Sequence, residues 1–496
     1  MSHKKAIIIG SGIGGMAVAI RLAVLDYQVE VFEKNSYPGG KLTAFEKDGY
    51  HFDAGPSLFT QPENIEELFV LAGEPIGQYF SYQPVSVACK YFFENGKVVK
   101  AYTDPILFGK ELKEQLNEQP KALTGYLQQS EKLYNNIGSI FLNHSLHKRR
   151  TWLNKRIFKA LKSVRYSYLF QSLYQYNKRK FTSAEAVQLF NRYATYNGSN
   201  PYKAPGMLSL IPHLEQNQGT FYPAGGMINI TNAVYKLALK KGVQFHFNSP
   251  VEKIIHHEEV IKAVLVNNKN IPADLVVSNA DVYFTYKNLL GNIHKSQKIL
   301  KQERSSSAVI FYWGIKKEFS QLGLHNIFFS NDYKTEFDNI FNKKQLSSDP
   351  TIYINITSKM EKGFAPAGKE NWFVMVNAPA NSGQDWNVMK QQLRSLVINK
   401  LTSKLGEDIT ALIETEHTLD PVLIEEQTAS YMGSLYGTSS NSKLAAFLRH
   451  PNFTSSIKGL YFCGGSVHPG GGIPLCLKSA KIVSEMIARD NKKTNH

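Results

Sequence analysis

The sequence predicts an α/β fold, and two stretches near its start carry that expectation. The first is a β-branched run, Ile7-Ile8-Ile9. It leads into Gly10, Gly12 and Gly15, with Gly14 as an extra glycine, and then into Met16, Ile20, Ala23 and Val24 at helical spacing. The second is Gln28-Val29-Glu30-Val31-Phe32, which alternates polar and apolar residues and stops at Glu33. Strand, glycine turn, helix, strand and acid in that order make a Rossmann-like dinucleotide-binding unit. Its first glycine permits the tight turn, the second lets backbone approach a pyrophosphate, and the third lets helix and strand pack closely. The acid, about 20 residues on, meets a ribose hydroxyl.

The same start has marks of a secretory signal. Lys4 and Lys5 precede the uncharged run Ala6 to Ile20, and Ala17-Val18-Ala19 has a small-residue cleavage pattern. Cleavage there would discard the phosphate cradle, so the segment is expected to stay and the protein to be cytoplasmic.

Composition narrows the class. A chain of 496 residues with 43% hydrophobic and 20% charged residues has room for two or three globular domains. No apolar stretch of about 20 residues predicts a spanning helix. The 3 cysteines, Cys89, Cys463 and Cys476, are far apart, which excludes a disulfide framework and a cysteine zinc site. No metal-ligand spacing and no nucleophile set is evident.

The net charge of +16 is concentrated. Residues 132–184 hold twelve of the 57 Lys and Arg and no acid, leaving 45 against 41 elsewhere. Trp152, Phe158, Tyr166, Tyr168, Phe170, Tyr174, Tyr176 and Phe181 are interleaved with these charges. Leu153, Ile157, Leu161, Val164 and Tyr168 fall at helical spacing, with Lys155, Lys159 and Lys162 off that stripe. A basic amphipathic helix of this kind reads as membrane-surface contact. A solvated basic face and nucleic-acid binding are the other readings of the composition.

Farther along, Ser36 to Lys41 is a second glycine turn, and Phe52-Asp53-Ala54-Gly55-Pro56-Ser57 a third conspicuous stretch. Alternation from Lys90 to Tyr102 predicts a hairpin at Asn95-Gly96. After Tyr222-Pro223-Ala224-Gly225-Gly226-Met227 a helix is expected to Lys241, stopped by Gly242. Strands are predicted at 261–266, 274–278 and 372–377, and a helix at 385–405. A strand at the C-terminal end runs into Gly464 and Gly465. His468-Pro469-Gly470-Gly471-Gly472-Ile473-Pro474 then opens the last helix, 475–489. A nucleotide site built from both chain ends implies a discontinuous domain, 1–80, 222–290 and 425–496. Residues 81–131 and 291–424 would form an inserted mixed-sheet substrate domain, and 132–221 a helical, membrane-facing region.

Taken together, these motifs resemble the FAD-dependent carotenoid desaturases of the bacterial phytoene-desaturase type, within the wider amine-oxidase-like flavoprotein group. Gly-Gly-Lys-Leu-Thr from Gly39 and Asp-Ala-Gly-Pro-Ser-Leu-Phe-Thr from Asp53 are similar to the hydroxycarotenoid 3,4-desaturase branch. Two positions depart from the family pattern. Lys41 stands where Arg is usual, leaving a point charge without a planar fork. Ser466 stands next to Gly465 where many relatives carry an acid.

The resemblance implies FAD on Gly10, Gly12, Ile13, Gly14, Gly15, Glu33, Lys34, Gly40, Lys41, Gly55, Pro56 and Ser57. It adds Val251 at the adenine, Asn279 and Ala280 beside the nucleotide, and Gly465 and Ser466 along the ribityl and pyrophosphate. Gly472, Ile473 and Pro474 would meet the polar edge of the flavin. It implies dehydrogenation of a C–C single bond beside a polyene, with 3,4-desaturation of an acyclic or 1-hydroxylated end group favoured. The alternatives are phytoene desaturase, carotenoid isomerase or oxidase, amine oxidase, and a non-enzymatic prenyl-protein escort. His468 and Arg449 are candidates to face the flavin, His468 as proton acceptor; the residues themselves favour reading His468 as a structural turn histidine bonding backbone. A carotenoid substrate favours the peripheral-membrane reading of 132–184 over nucleic acid, with oxygen or a quinone as electron acceptor.

Overall fold

The computed structural model describes residues 4–148, 151, 166–291, 301–442 and 449–494. A parallel five-stranded sheet runs in the order Leu460–Phe462, Leu275–Ser278, Lys5–Ile9, Gln28–Phe32, Gln244–His246. Its strands come from both chain ends and the middle. The helix Ile13–Val24 is apolar on almost every side, as a helix covered all round should be, and Ile13 to Leu22 are buried. It packs with Ile228–Lys240 and Ile473–Thr494. The last helix thus starts two residues before the expected Leu475 and outruns Arg489.

A second sheet has seven strands, with Ser307–Ile315 paired to both Glu370–Ala378 and Ile413–Leu419. Every residue of Ser307–Ile315 is buried, which explains its near-continuous apolar sequence. Strand periodicity divides its side chains. Val309, Phe311 and Trp313 pack with Leu393, Val397 and Leu401 of the helix Trp386–Leu405. Ile310 and Tyr312 face the opposite way, toward Phe52 and Phe373. The hairpin predicted at Asn95-Gly96 joins Val87–Phe92 to Val98–Tyr102 at one edge of this sheet.

The basic aromatic stretch is only partly what its pattern suggested. Trp152, Phe158 and the stripe Leu153 to Val164 lie outside the described residues. Among the described ones, Tyr168, Tyr176 and Phe181 are buried in a helical core with Leu173 and Phe190, so these three aromatics face protein. Phe170, Lys178 and Arg179 are exposed. Charge and aromatic content read alike for both groups, and only packing separates them. No helix among the described residues is long and apolar enough to cross a membrane.

Candidate cofactor and substrate site

The carboxyl ends of the parallel strands set the first half of the site. Gly10 has φ +92°, a left-handed conformation that ends its strand. A Cβ on Gly15 would lie 2.2 Å from the Gly10 carbonyl, so the third glycine does let helix and strand pack closely. Gly12 has a further constraint. A Cβ there would meet the Asn279 Oδ1 at 2.7 Å, and the Asn279 carboxamide also crowds Gly14 and Gly464. The missing side chain makes room for Asn279, which donates to the Cys463 carbonyl at 3.2 Å and ties the loop to the neighbouring strand.

Glu33 is buried at the end of its strand. One oxygen accepts from the Ser11 N–H at 2.8 Å and hydroxyl at 2.9 Å, the other from the Asn35 N–H at 2.9 Å. The second glycine turn packs onto the first: the Gly39 N–H donates to the Ser11 carbonyl at 2.9 Å. Lys41, the departure from Arg, donates to the Ser434 and Leu435 carbonyls at 3.2 and 3.0 Å. Burial lowers its ammonium below the usual lysine range against the pull of Asp281. Lys34 donates to the Glu426 carbonyl. Asp53 accepts from the N–H groups of Met227 at 2.9 Å and Ile228 at 3.0 Å, capping the helix Ile228–Lys240. Two motifs whose contacting residues stand 174 apart in the chain are therefore one unit.

A single cavity of about 1120 Å³ joins this cradle to the seven-stranded sheet. An ordinary small-molecule pocket holds roughly 300–1,000 Å³, so this space lies just above that range. Its wall takes every expected cofactor residue except Gly15, which is packed inside: Gly10, Gly12, Ile13, Gly14, Glu33, Lys34, Gly40, Lys41, Gly55, Pro56, Ser57, Val251, Asn279, Ala280, Gly465, Ser466, Gly472, Ile473 and Pro474. Ser466 also ties the wall to its neighbour. Its oxygen accepts from the Val282 N–H at 3.0 Å, so the hydroxyl has a backbone partner already. A Cβ on Gly472, with φ +109°, would meet nothing within 4 Å, so that glycine opens onto free space at the start of the last helix. Helix N–H groups there suit an anionic or polar guest.

The far half of the wall is apolar and aromatic, with Phe45, Ile310, Tyr312, Ile327, Phe373, Met375 and Leu435. Phe373 and Met375 come from the strand read at 372–377. Part of the stretch expected to meet the membrane contributes as well: Arg192, Thr195, Tyr196 and Glu215.

His468 and Arg449 do not line the cavity. His468 donates through Nε2 to the His144 carbonyl at 2.9 Å, and burial pushes its pKa down to about 4. It is a buried histidine bonded to backbone and stands off the cavity wall, as the structural reading of the turn expected. Arg449 stands behind the wall, donating to the Tyr436 carbonyl at 2.8 Å, with its pKa lowered by burial to about 10.

Sequence reading missed Arg192, Tyr196, Glu215, His325 and Tyr353, all on the wall. The available signal was Arg192, a lone charge after the apolar Leu189-Phe190. Its acidic partner is 23 residues away, at no motif spacing.

The fold and this cradle agree with what comparison finds. The profile described as flavin-containing amine oxidoreductase matches residues 13–488. The chain belongs to the flavin-containing amine oxidoreductase family. This flavin oxidoreductase is 50% identical over 488 residues to a 1-hydroxycarotenoid 3,4-desaturase of a Flavobacterium species, covering 98% of this chain and 100% of the relative. It is 31% identical over 496 residues to a 4,4'-diapolycopene oxygenase of Methylomonas, with 98% and 99% covered. A phytoene desaturase of Fusarium fujikuroi is 29% identical over 523 residues, with 99% and 90% covered. Among solved structures, an oxidoreductase from Methanosarcina mazei superposes with TM-score 0.65 at 14% identity, covering 97% and 100%. Cyclohexylamine oxidase from Brevibacterium oxydans gives 0.63 at 14%, covering 99% and 100%. FAD is the cofactor, and the cradle fits it: a strand-end acid, glycine turns without side chains and a helix start all face one cavity.

Proposed function

We propose that this chain is an FAD-dependent carotenoid desaturase that oxidises the 3,4 bond of a 1-hydroxylated acyclic end group. The observation that carries this reading is the 50% identity, over 98% of this chain and 100% of the relative, to an enzyme of that name. The cavity supports it, since a dinucleotide cradle opens directly onto an apolar, aromatic slot.

In this reading Glu33 takes the adenosine ribose, the turns at Gly12 and Gly40 the pyrophosphate, and Gly472 to Pro474 the polar edge of the flavin. The C–C bond loses two hydrogens, one as a hydride that bound FAD would accept and the other as a proton. The protein's own part is to hold the polyene against that acceptor. Phe373, Met375 and Ile327 exclude water from the developing positive charge, which the polyene delocalises. Oxygen or a quinone is the terminal electron acceptor. Residues 132–184 would rest on an anionic membrane surface and give access to a bilayer-borne substrate, making the protein peripheral. We assign 1–80, 222–290 and 425–496 to the cofactor and 81–131 with 291–424 to the substrate. Residues 132–221 go to membrane contact and to one side of the cavity.

The test is product analysis with flavin-loaded protein and carotenoids in liposomes. A 1-hydroxylated acyclic carotenoid should gain one double bond and a red-shifted band. Conversion of phytoene to lycopene without action on the hydroxylated substrate would overturn the assignment of the bond.

A further inference from the structure

An apolar polyene has no use for an ion pair, yet the cavity wall contains one. Arg192 and Glu215 pair at 3.1 Å, and the Glu215 side chain is 1% exposed. Tyr193 donates its hydroxyl proton to Glu215 at 2.8 Å, Tyr196 donates to the other carboxylate oxygen, and Arg192 Nη1 donates to the Tyr196 oxygen at 3.1 Å. Burial alone would raise the Glu215 carboxyl, but Arg192 and the two phenols outweigh it and hold it below the usual carboxylate range. The group is a carboxylate beside a guanidinium. A buried pair of this kind contributes little to stability over well-packed apolar side chains, so its place on this wall asks for a polar guest.

The cluster has hydrogen-bonding capacity left. Arg192 Nε is buried with no partner. The Tyr196 oxygen gives one proton and takes one, which leaves a lone pair. The Glu215 oxygens are already taken by Arg192, Tyr193, Tyr196 and Gln216, so an alcohol, which both donates and accepts, matches the guanidinium donor and the phenol oxygen that remain.

Its position is specific too. The Ser57 hydroxyl, next to Gly55 and Pro56 of the cradle, lies 2.6 Å from the Tyr353 hydroxyl. Tyr353 lies 2.8 Å from His325 Nδ1, and His325 feels the charges of both Glu215 and Arg192. Ser57, Tyr353, His325 and the cluster all line one cavity with the glycine cradle. In a 1-hydroxylated substrate oxidised at the 3,4 bond, one carbon separates the carbinol carbon from that bond. An anchor for the hydroxyl must therefore share one cavity with the cradle of the hydride acceptor, as this cluster does.

We propose that Arg192 and Tyr196, held in place by Glu215, bind the terminal hydroxyl of the substrate, selecting hydroxylated end groups and fixing which bond is presented for oxidation. The inference rests on the desaturase reading above. An end group without the hydroxyl would cover the same polar atoms and give them no partner, which is how a site built for a hydroxyl rejects its analogue.

The test compares a 1-hydroxylated acyclic carotenoid with the same polyene lacking the hydroxyl, first by equilibrium binding to the flavin-loaded protein and then by turnover. The parent should prefer the hydroxylated compound by about tenfold or more, roughly 1.4 kcal/mol. Tyr196→Phe, and the double replacement Arg192→Met with Glu215→Gln, should bring that preference to within about twofold. The loss should fall mainly in KM for the hydroxylated compound, with flavin content unchanged. If the double variant does not fold, Tyr196→Phe alone decides. An unchanged preference in a variant that folds and keeps its flavin overturns the proposal, as does a parent that binds both compounds equally. Preferential binding without turnover would instead overturn the desaturase reading and leave the cluster's role standing.

Discussion

At the scale of single residues, Gly12 and Gly15 belong to one motif but are constrained by different things. Gly15 faces backbone: its Cβ would fall 2.2 Å from the Gly10 carbonyl. Gly12 faces a side chain, the Asn279 carboxamide, whose Oδ1 would stand 2.7 Å from a new Cβ. Backbone cannot step aside, whereas an amide can be removed. Gly15→Ala should therefore cost more than Gly12→Ala, with overpacking of about 1–3 kcal/mol as the scale. Flavin content after purification and the melting temperature measure both. Adding Asn279→Ala should restore flavin to Gly12→Ala and do little for Gly15→Ala. No rescue by the double variant would mean that the Gly12 contact with Asn279 is not what forbids a side chain there.

At the scale of elements, Asp53 shows how a motif can be structural at heart. Its carboxylate accepts from the N–H groups of Met227 and Ile228 at 2.9 and 3.0 Å, at the start of the helix Ile228–Lys240. A Cβ on Gly226, which has φ +83°, would come within 2.9 Å of that carboxylate, so the glycine beside it is required as well. Asp53→Ala should lower stability by about 1–2 kcal/mol, the usual range for a lost cap, as read from chemical denaturation. The flavin spectrum of protein that still folds should be little changed. A large spectral change with normal stability would move Asp53 from helix cap to cofactor contact. The basic stretch makes a prediction of another kind. Neutralising Lys155, Arg156, Lys159 and Lys162 should reduce sedimentation with anionic liposomes at low salt, and raising the salt should weaken the parent's binding in the same way. Equal sedimentation of variant and parent at low salt would identify a solvated face.

At the scale of the whole molecule, burial of neutral imidazoles makes the fold acid-sensitive. Burial pushes His325, His450 and His468 down to a pKa of about 4, from an ordinary 6.5. The unfolded chain takes up these protons below 6.5 while the folded one refuses them until about 4. Their contribution is thus whole above pH 6.5 and is lost as the pH falls toward 4. The loss is on the order of 1–2 kcal/mol per histidine between pH 7 and 5. His450, which donates to the Pro451 carbonyl at 2.7 Å and lies 3.0 Å from the Tyr286 hydroxyl, is the one to replace. In thermal melts, His450→Asn should flatten the fall in melting temperature between pH 7 and 5; an unaltered slope would assign the acid sensitivity elsewhere. Sequence alone determined the parallel sheet, the glycine cradle, Glu33 and the helix that follows Met227, because these depend on residues close together in the chain. Turn conformation, periodicity and strand-end position are local properties. It also carried the family, through short motifs whose order along the chain is itself informative. Tertiary structure decided the rest. It withdrew His468 from the cavity, gave the Ser466 oxygen a backbone partner and buried Tyr168, Tyr176 and Phe181 that composition had placed at a surface. It also brought Arg192 to Glu215 across 23 residues, and His325 to Tyr353 across 28. Such pairings depend on which faces of separate elements close on one cavity, and no spacing in the chain records that.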